Sequence, residues 1–242
     1  MNSSSSFKSQ LSSLAPGRPL ILGHRGAPTE LTENTIASFQ RALEEGADGV
    51  ELDVRQTGDG KLVVFHDDLL KSGELLLDHS FVELRKLAGA QDVMIHSLDE
   101  VLRELAGKGF LNIELKESGI ESAAVDLALA ILPSASYVFS SFLPTVVSEC
   151  RRLAPDVPAI FITDTCRDPE RIMQIMENAD ASGIGLWHKA LTPVLAKLFT
   201  ARELPIFVWT VNDPAEAQKL AELGVAGIIT DVPGVLSHSL AR

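Results

Sequence analysis

The sequence predicts an α/β protein with the architecture of a TIM barrel, in which eight parallel strands close into a (β/α)8 barrel inside a ring of helices. Short apolar runs typical of strands alternate with amphipathic runs typical of helices, which indicates βαβ units and a parallel sheet. The length of 242 residues matches such a barrel. Polar residues also gather where predicted strands end, the edge at which barrel enzymes place their chemistry. A doubly wound open sheet is the rival fold, but the turn Gly23–Pro28 lacks the glycine-rich pattern which that fold favours.

The composition is that of a globular protein, with 45% hydrophobic and 22% charged residues. Acidic residues number 33 against 21 Lys and Arg, and the resulting net charge of −12 disfavours nucleic acid or an anionic membrane as a partner. Two cysteines are too few for a disulfide framework or a cysteine zinc site. No apolar run reaches the roughly 18 residues that a membrane helix needs. We therefore expect a cytoplasmic protein without stable membrane association, and the composition leaves its oligomeric state open.

Residues 1–18 stand apart from the rest of the chain. They contain the serine run Ser3–Ser6 and no apolar segment of the kind found in secretory signals. We expect these residues to form a flexible lead-in, and residues 19–242 to form a single barrel domain.

Nine apolar runs have the length and residue types of strands: Leu20–Gly23, Val50–Val54, Leu62–Phe65, Leu111–Leu115, Tyr137–Phe139, Ala159–Ile162, Ile184–Leu186, Ile206–Val211 and Gly227–Thr230. Helical patterns lie between most of them, for example Thr35–Leu43, Leu98–Leu105, Ala123–Leu132, Val146–Leu153, Pro193–Phe199 and Ala215–Leu223. Nine strands exceed the number in the barrel by one, and the third run accounts for the difference.

The second and third runs are joined by Thr57–Lys61, which contains no helix but has the glycines of a hairpin turn. We interpret the third run, extended to His66, as a strand that returns antiparallel to the second barrel strand instead of joining the barrel. Pairing about this turn predicts that Val54 lies opposite Val63 and that His66 comes back beside Glu51.

Two predicted barrel strands carry alternating polar residues near their ends. Glu51 and Asp53 share one face of the second strand, and Glu114 and Lys116 share one face of the next. Because the apolar faces should pack on helices, the polar faces should point into the barrel mouth. Three carboxylates buried there need a compensating cation, and oxygen ligands suit Mg2+ or Ca2+. For either strand alone, an ordinary half-exposed strand with carboxylates facing water is an equally good interpretation.

Further candidate site residues follow other strands. His24 and Arg25 end the first strand, Trp209 ends a late one, and the hairpin brings His66 to the same face. A lone histidine at a strand end is more often structural, but two beside three carboxylates indicate acid–base chemistry. Arg25 has a second interpretation as the ion-pair partner of Glu33 or another carboxylate.

The motifs occur in a fixed order from about residue 19 to residue 236: His24-Arg25-Gly26, Glu33-Asn34-Thr35, Glu51-Leu52-Asp53, His66-Asp67, Asn112–Lys116, Trp209–Asn212 and Gly227–Asp231. In this combination the chain resembles the glycerophosphodiester phosphodiesterase family. The resemblance implies a TIM-barrel hydrolase that converts a small-molecule substrate, a glycerophosphodiester, to sn-glycerol 3-phosphate and an alcohol.

The resemblance also implies three groups of site residues: Glu51, Asp53 and Glu114 on a divalent metal, His24 and His66 as an acid–base pair in which either one is the base, and Arg25 and Lys116 on the phosphate. We interpret Trp209 as part of the substrate-pocket wall. The choice between Mg2+ and Ca2+ is left open, as is the attacking group, which is either water or the neighbouring glycerol hydroxyl.

Two features depart from the family pattern: Thr32 stands where proline is usual, and the inserted rim segment 67–96 is shorter than usual, which predicts a more open pocket on the alcohol side. Two alternative functions remain. A lysophospholipase D-like enzyme would act on a lipid and would need an exposed apolar or basic face. A non-catalytic barrel that binds a phosphorylated ligand would be favoured by the loss of a histidine or a metal carboxylate, and none is missing.

Overall fold

The computed structural model describes residues 3–133 and 135–240, and within them the predicted TIM barrel is confirmed. The strands in chain order are β1 Leu20–His24, β2 Gly49–Gln56, β3 Leu62–Val64, β4 His96–Ser97, β5 Phe110–Leu115, β6 Tyr137–Ser141, β7 Ala159–Thr163, β8 Gly183–Trp187, β9 Ile206–Trp209 and β10 Gly227–Thr230. All except β3 and β4 are parallel barrel strands. The sheet closes because β1 pairs with both β2 and β10.

Ten helices lie within the described residues, and most of them cover the outside of the barrel. They are α1 Ser3–Leu14, α2 Ile36–Glu44, α3 Phe81–Gly89, α4 Leu98–Leu105, α5 Glu121–Ile131, α6 Pro144–Leu153, α7 Pro169–Asn178, α8 Pro193–Thr200, α9 Pro214–Glu222 and α10 Pro233–Leu240, with 3-10 turns at Leu76–Asp78 and His188–Ala190. Several of these helices begin with proline, whose fixed φ and missing N–H suit the first turn. None of the described helices is both long and apolar enough to cross a bilayer.

The alternation in β2 and β5 separates apolar from polar side chains as the sequence predicts. Leu52 and Ile113 lie in the core between the barrel and its helices. Glu51 and Asp53 flank Leu52, and Glu114 follows Ile113, so the alternation of a strand turns these three carboxylates to the opposite face. The register places Asp53 directly opposite Glu114. The two strands therefore bring their carboxylates to one place at the carboxyl end of the barrel.

The hairpin is present, but the predicted pairing of Val54 with Val63 is wrong by one residue. Val54 lies opposite Val64. The last residues joined across the hairpin are Thr57 and Lys61, which leaves a loop of three residues, whereas the predicted pairing requires an even number of loop residues. Gly60 in this loop has a φ of 81°, the left-handed conformation that three-residue hairpin loops use. The shift places Phe65 opposite Asp53, whose backbone O accepts a hydrogen bond from the Phe65 N–H at 3.0 Å. His66 and Glu51 nevertheless line one cavity, which is described below.

The predicted flexible lead-in is also wrong, since most of it forms the helix α1. Phe7 and Leu11 lie four residues apart on one face of this helix, Ala15 follows its end, and all three are buried. They pack on side chains inside the barrel, among them Leu20 and Phe110 at the first residues of their strands. The helix therefore covers the amino-terminal end of the barrel, and apolar contact inside the barrel outweighs the weak helix preference of its serines.

Replacing Phe7 with Ala is expected to lower the free energy of unfolding by about 3–5 kcal/mol. Phe7 is 1% exposed and stacks on Phe207 with 6.2 Å between ring centres, so its loss leaves a cavity at the bottom of the barrel. Urea denaturation measures the change. Leu14→Ala is the matched control, because Leu14 lies on the same helix and is 45% exposed. A loss below about 1 kcal/mol for Phe7→Ala would contradict this packing.

The inserted segment 67–96 contains one 3-10 turn and the helix α3. Its apolar residues form a small cluster of their own against Val63 of the hairpin. The amino-terminal end of α3 is fixed by Ser80 and Glu83, whose side chains bond reciprocally to each other's backbone. The segment is thus folded onto the outer hairpin, and its predicted role as a rim over the substrate stays a prediction.

Candidate active site

Three buried carboxylates, those of Glu51, Asp53 and Glu114, meet inside the carboxyl end of the barrel. Each offers an oxygen atom, and these atoms lie within 4.8 Å of one another. The exposed fractions of the three residues are 3%, 1% and 7%, so water cannot compensate their charges. Oε1 of Glu51 accepts no hydrogen bond from the described residues. A buried carboxylate oxygen without a donor, aimed at two other carboxylates, fits a divalent cation bound by oxygen ligands.

The charges around this cluster shift its pKa values in opposite directions. Burial, followed by the negative charges of Asp53 and Glu114, raises the pKa of Glu51 well above its ordinary value. Burial also raises the pKa of Glu114, although Lys116 opposes the shift. At Asp53 burial acts in the same direction, but Lys116 and Arg25 outweigh it and the pKa lies below the ordinary value. The cluster is therefore short of positive charge mainly at Glu51.

Two cations, Lys116 and Arg25, border the carboxylates. Nζ of Lys116 lies 2.9 Å from Oδ1 of Asp53 and also contacts Glu114. Nε of Arg25 lies 3.1 Å from Oδ2 of Asp53, and its guanidinium also pairs with Glu33 at 2.9 Å. The second interpretation of Arg25, as an ion-pair partner, thus describes a contact that the structure contains. The pairing leaves Arg25 on the wall of the cavity described below.

The turn after β1 is shaped to hold Arg25. Arg25 itself has a φ of 53°, and its backbone N–H donates to Oε2 of Glu51 at 3.0 Å. Gly26 follows with a φ of 95°, and a Cβ there would lie 2.4 Å from Oγ of Ser38. Only glycine fits this position without a shift of α2, which is a physical reason for the glycine in His24-Arg25-Gly26.

Each of the two candidate histidines is oriented by a carboxylate. Nδ1 of His24 lies 2.7 Å from Oδ1 of Asp231, which follows β10. Nδ1 of His66 lies 2.7 Å from Oδ1 of Asp67. Burial lowers the pKa of His66, and among the nearby charges Lys116 acts in the same direction while Asp53 opposes it. In both rings the nitrogen at the carboxylate is Nδ1, which leaves Nε2 for contact with a substrate.

A cavity of about 240 Å3 joins these groups. Its wall includes the charged or titratable residues His24, Arg25, Glu51, His66, Glu114 and Lys116 and the apolar residues Phe142, Ile162, Trp209 and Ile229. Trp209 packs edge-on against Phe142, with 5.6 Å between ring centres. The structure thus brings the predicted site residues to one place: all but Asp53 line the cavity, and Asp53 lies beneath it in contact with Arg25 and Lys116.

Sequence reasoning missed the roles of four other residues in this region. Asp231 orients His24, and Asn34 donates to Oδ2 of Asp53 at 2.8 Å. Asn112 is buried on the cavity wall, and Phe142 follows β6 as an apolar part of that wall. Asp231, Asn34 and Asn112 stand in the motifs quoted above, but the sequence did not indicate what each of them does. Phe142 is preceded only by the polar pair that ends β6, and no pattern indicated it.

Comparison with known proteins identifies the family of this chain. The model of the glycerophosphoryl diester phosphodiesterase family matches residues 24–235. A glycerophosphodiester phosphodiesterase of Caldanaerobacter subterraneus is 33% identical over 244 residues, with 93% of this chain and 99% of the relative covered.

Two solved structures are similar over nearly their whole length. A glycerophosphodiester phosphodiesterase of Thermotoga maritima has a TM-score of 0.77 at 31% identity, covering 91% of this chain and 97% of its own. A phosphodiesterase of Oleispira antarctica, solved in complex with the product sn-glycerol 3-phosphate, has a TM-score of 0.84 at 25% identity, covering 95% and 99%. With the family match spanning the barrel and every quoted motif, the chain belongs to the glycerophosphoryl diester phosphodiesterase family.

Proposed function

We propose that this protein hydrolyses glycerophosphodiesters to sn-glycerol 3-phosphate and an alcohol, with a divalent metal and two histidines. The observation that supports this most is the combination around one cavity of three buried carboxylates, two cations and two carboxylate-bound histidines. A phosphodiester resists attack because its charge repels nucleophiles, so an enzyme must first neutralise that charge. The cavity provides groups for this neutralisation and for proton transfer.

The charges of the site support a divalent cation, Mg2+ or Ca2+. When ionised, Glu51, Asp53 and Glu114 carry three negative charges, and a bound phosphodiester adds a fourth. Arg25 and Lys116 supply two positive charges, so a divalent cation brings the buried site to neutrality. The three carboxylates would hold this ion, and it would polarise a phosphoryl oxygen as a Lewis acid.

The chain's own cations position the phosphate. Arg25 presents a guanidinium on the cavity wall, held by Asp53 and Glu33, and its planar donors suit two phosphoryl oxygens. Lys116 adds a point charge from the end of β5. Phe142 and Trp209 add an apolar surface to the wall of the same cavity. Together these groups fix the orientation of the phosphorus for attack in line with the leaving alcohol.

The histidines transfer the protons of the reaction. One of His24 and His66 removes a proton at Nε2 from the attacking oxygen as the new P–O bond forms. The other donates a proton from Nε2 to the alkoxide as its P–O bond breaks. Overall, one water is consumed, and the one proton that the base takes up matches the one proton that the acid gives up. Asp231 and Asp67 keep Nδ1 of each ring occupied, so that the proton is exchanged at the nitrogen free to meet the substrate.

Asp231→Asn is expected to lower kcat about 100-fold while KM changes little, because Asp231 positions His24 and does not touch the substrate. Asn212 also holds Asp231, through a 2.8 Å hydrogen bond to Oδ2. Steady-state kinetics over a range of diester concentrations measure kcat and KM separately. Asp231→Glu, which keeps the charge, should recover part of kcat. A rise in KM with kcat unchanged would show that Asp231 binds substrate instead.

The proposal is tested by release of sn-glycerol 3-phosphate from glycerophosphocholine, glycerophosphoethanolamine and glycerophosphoglycerol. Each reaction is run after EDTA treatment and again with Mg2+, Ca2+ or Mn2+ restored. The expected result is release that EDTA abolishes and at least one metal restores. Release that is unaffected by EDTA would contradict the metal, and no release from any diester would contradict the proposed reaction.

One observation favours the lipid substrate as a second candidate. Phe142 lines the cavity and Leu143 follows it in the chain, and the two are 42% and 38% exposed, which would suit an acyl chain. The same assay with lysophosphatidylcholine decides between the two candidates. We expect a higher kcat/KM for the diesters without an acyl chain, because a catalytic cavity of about 240 Å3 has room for the phosphate and a glycerol but not for an acyl chain as well.

A further inference from the structure

We propose that the alcohol part of the substrate binds in a second cavity beside the catalytic one, and that this cavity selects a neutral polyol such as glycerol or inositol over a cationic alcohol such as choline. The inference rests on the proposed function, because it names the substrate class of the same site. Three features carry it: the position of the cavity, the groups on its wall and the cations already present there.

The second cavity lies where β7, β8 and β9 end, on the same face of the barrel as the catalytic residues. Its volume is about 550 Å3, against about 240 Å3 for the catalytic cavity, and it is lined by Asp164, Thr165, Arg167, Trp187, Ala190 and Trp209. Trp209 lines both cavities, so the two adjoin. A diester carries two arms on one phosphate. The constant glycerol arm fits the smaller cavity, and the larger one is left for the variable alcohol.

The wall of the second cavity matches the chemistry of a polyol. Trp187 and Trp209 lie opposite each other in the register of β8 and β9 and provide flat apolar surface for the C–H groups of a polyol. Asp164 accepts hydrogen bonds, Arg167 donates them, and the hydroxyl of Thr165 does both. A polyol presents the same mixture of donors and acceptors next to apolar carbon, so each of its faces finds a partner here.

A cationic alcohol is disfavoured by one positive charge on the wall and by a second one beside it. Lys189 does not line the cavity, but its Nζ lies 5.5 Å from the centre of the Trp187 ring, so a cation already contacts an aromatic group that choline would use. Arg167 adds a second positive charge against the single carboxylate of Asp164. A trimethylammonium group would meet like charge twice and find no free aromatic cage, whereas a neutral alcohol incurs neither penalty.

Kinetics provide the first half of the test. The wild-type enzyme should show a kcat/KM for glycerophosphoinositol about tenfold above that for glycerophosphocholine. Trp187→Ala and Asp164→Asn should raise KM for glycerophosphoinositol about tenfold, and Lys189→Ala should raise kcat/KM for glycerophosphocholine. Leu129→Ala is the control, since Leu129 is an exposed apolar residue on α5.

Binding without turnover provides the second half. The chain has two tryptophans and both line this cavity, so indole fluorescence reports on it directly. Wild-type protein with saturating sn-glycerol 3-phosphate is titrated with free myo-inositol and, separately, with choline. Inositol should give a saturable change that Asp164→Asn weakens, and choline should give a smaller one.

The two halves separate failure of the inference from failure of the proposed function. Equal kcat/KM values for the two diesters, or a tighter titration with choline, would overturn the polyol preference and leave the hydrolysis standing. Absence of hydrolysis of any diester, together with a saturable inositol titration, would contradict the hydrolysis and support the polyol cavity. A flat inositol titration would overturn the inference in either case.

Discussion

Substitution of either active-site histidine, His24→Ala or His66→Ala, is expected to lower kcat by about 10²–10⁴-fold with Mg2+ or Ca2+ present. Each ring lines the catalytic cavity and is oriented by its own carboxylate, Asp231 or Asp67. Neither ring belongs to the carboxylate cluster, so metal affinity should stay near the wild-type value. The loss should therefore appear in kcat at saturating metal.

Kinetics with glycerophosphoglycerol, together with metal titration by calorimetry, check this expectation. His238→Ala is the matched control, because His238 is an exposed histidine on α10 whose Nδ1 faces its own helix at O of Gly234. Both cavity variants should lose activity while the control retains it. If either cavity variant kept activity within about threefold of wild type, that histidine would have no role in proton transfer.

Glu51→Gln is expected to abolish metal binding and to lower kcat/KM about 10³-fold, which corresponds to the several kcal/mol that a metal contributes to charge stabilisation. Glu51 is the carboxylate whose Oε1 lacks a hydrogen-bond donor among the described residues. An amide has the same shape but is a much weaker ligand than a carboxylate for a hard cation. Glu44→Gln, the same change at a 70% exposed carboxylate on α2, is the control for activity.

The same substitution should have the opposite effect on the stability of the metal-free protein. Burial and its acidic neighbours raise the pKa of Glu51 in the folded state, so the folded protein holds a proton that the unfolded chain has released. Stability therefore falls as pH rises from the unfolded pKa of about 4.3 through the folded value. Above that window, metal-free Glu51→Gln should be more stable than metal-free wild type, and added metal should reverse the order.

Urea denaturation between pH 5 and pH 9, with EDTA or with metal, measures this reversal. Asp53 contributes with the other sign, because its pKa is lowered and its stabilisation is lost only as pH falls through its folded value. The two contributions thus occupy different pH ranges. If the metal-free stability of the wild-type protein rose steadily to pH 9, that result would contradict the raised pKa of Glu51.

Much of the barrel and its carboxylate cluster was predictable, because both depend on local alternation. Glu51 and Asp53 on one strand and Glu114 on the next share a face by the two-residue period alone, and the parallel register then places them together. The hairpin was predictable from its glycines, but its register depended on loop length, and one residue changed which side chains face each other.

The remaining features depend on contacts between distant parts of the chain. The bond between His24 and Asp231 joins residues at the two ends of the barrel sequence, and no local pattern specifies it. The helix α1 contains a serine run with low intrinsic preference for helix, and it becomes ordered because the barrel offers apolar surface to Phe7 and Leu11. The His24–Asp231 contact and the folding of α1 depend on tertiary packing, and local sequence preferences give no information about such packing.

In the proposed function this barrel uses a bound divalent metal to cleave a glycerophosphodiester. The decisive measurement is 31P NMR of the wild-type protein with glycerophosphoglycerol and Mg2+ or Ca2+, followed by EDTA. The diester signal should decline while a phosphomonoester signal grows equally, and both changes should stop when EDTA is added. A diester signal that persists under both metals, or that declines unchanged in EDTA, would contradict the proposed function.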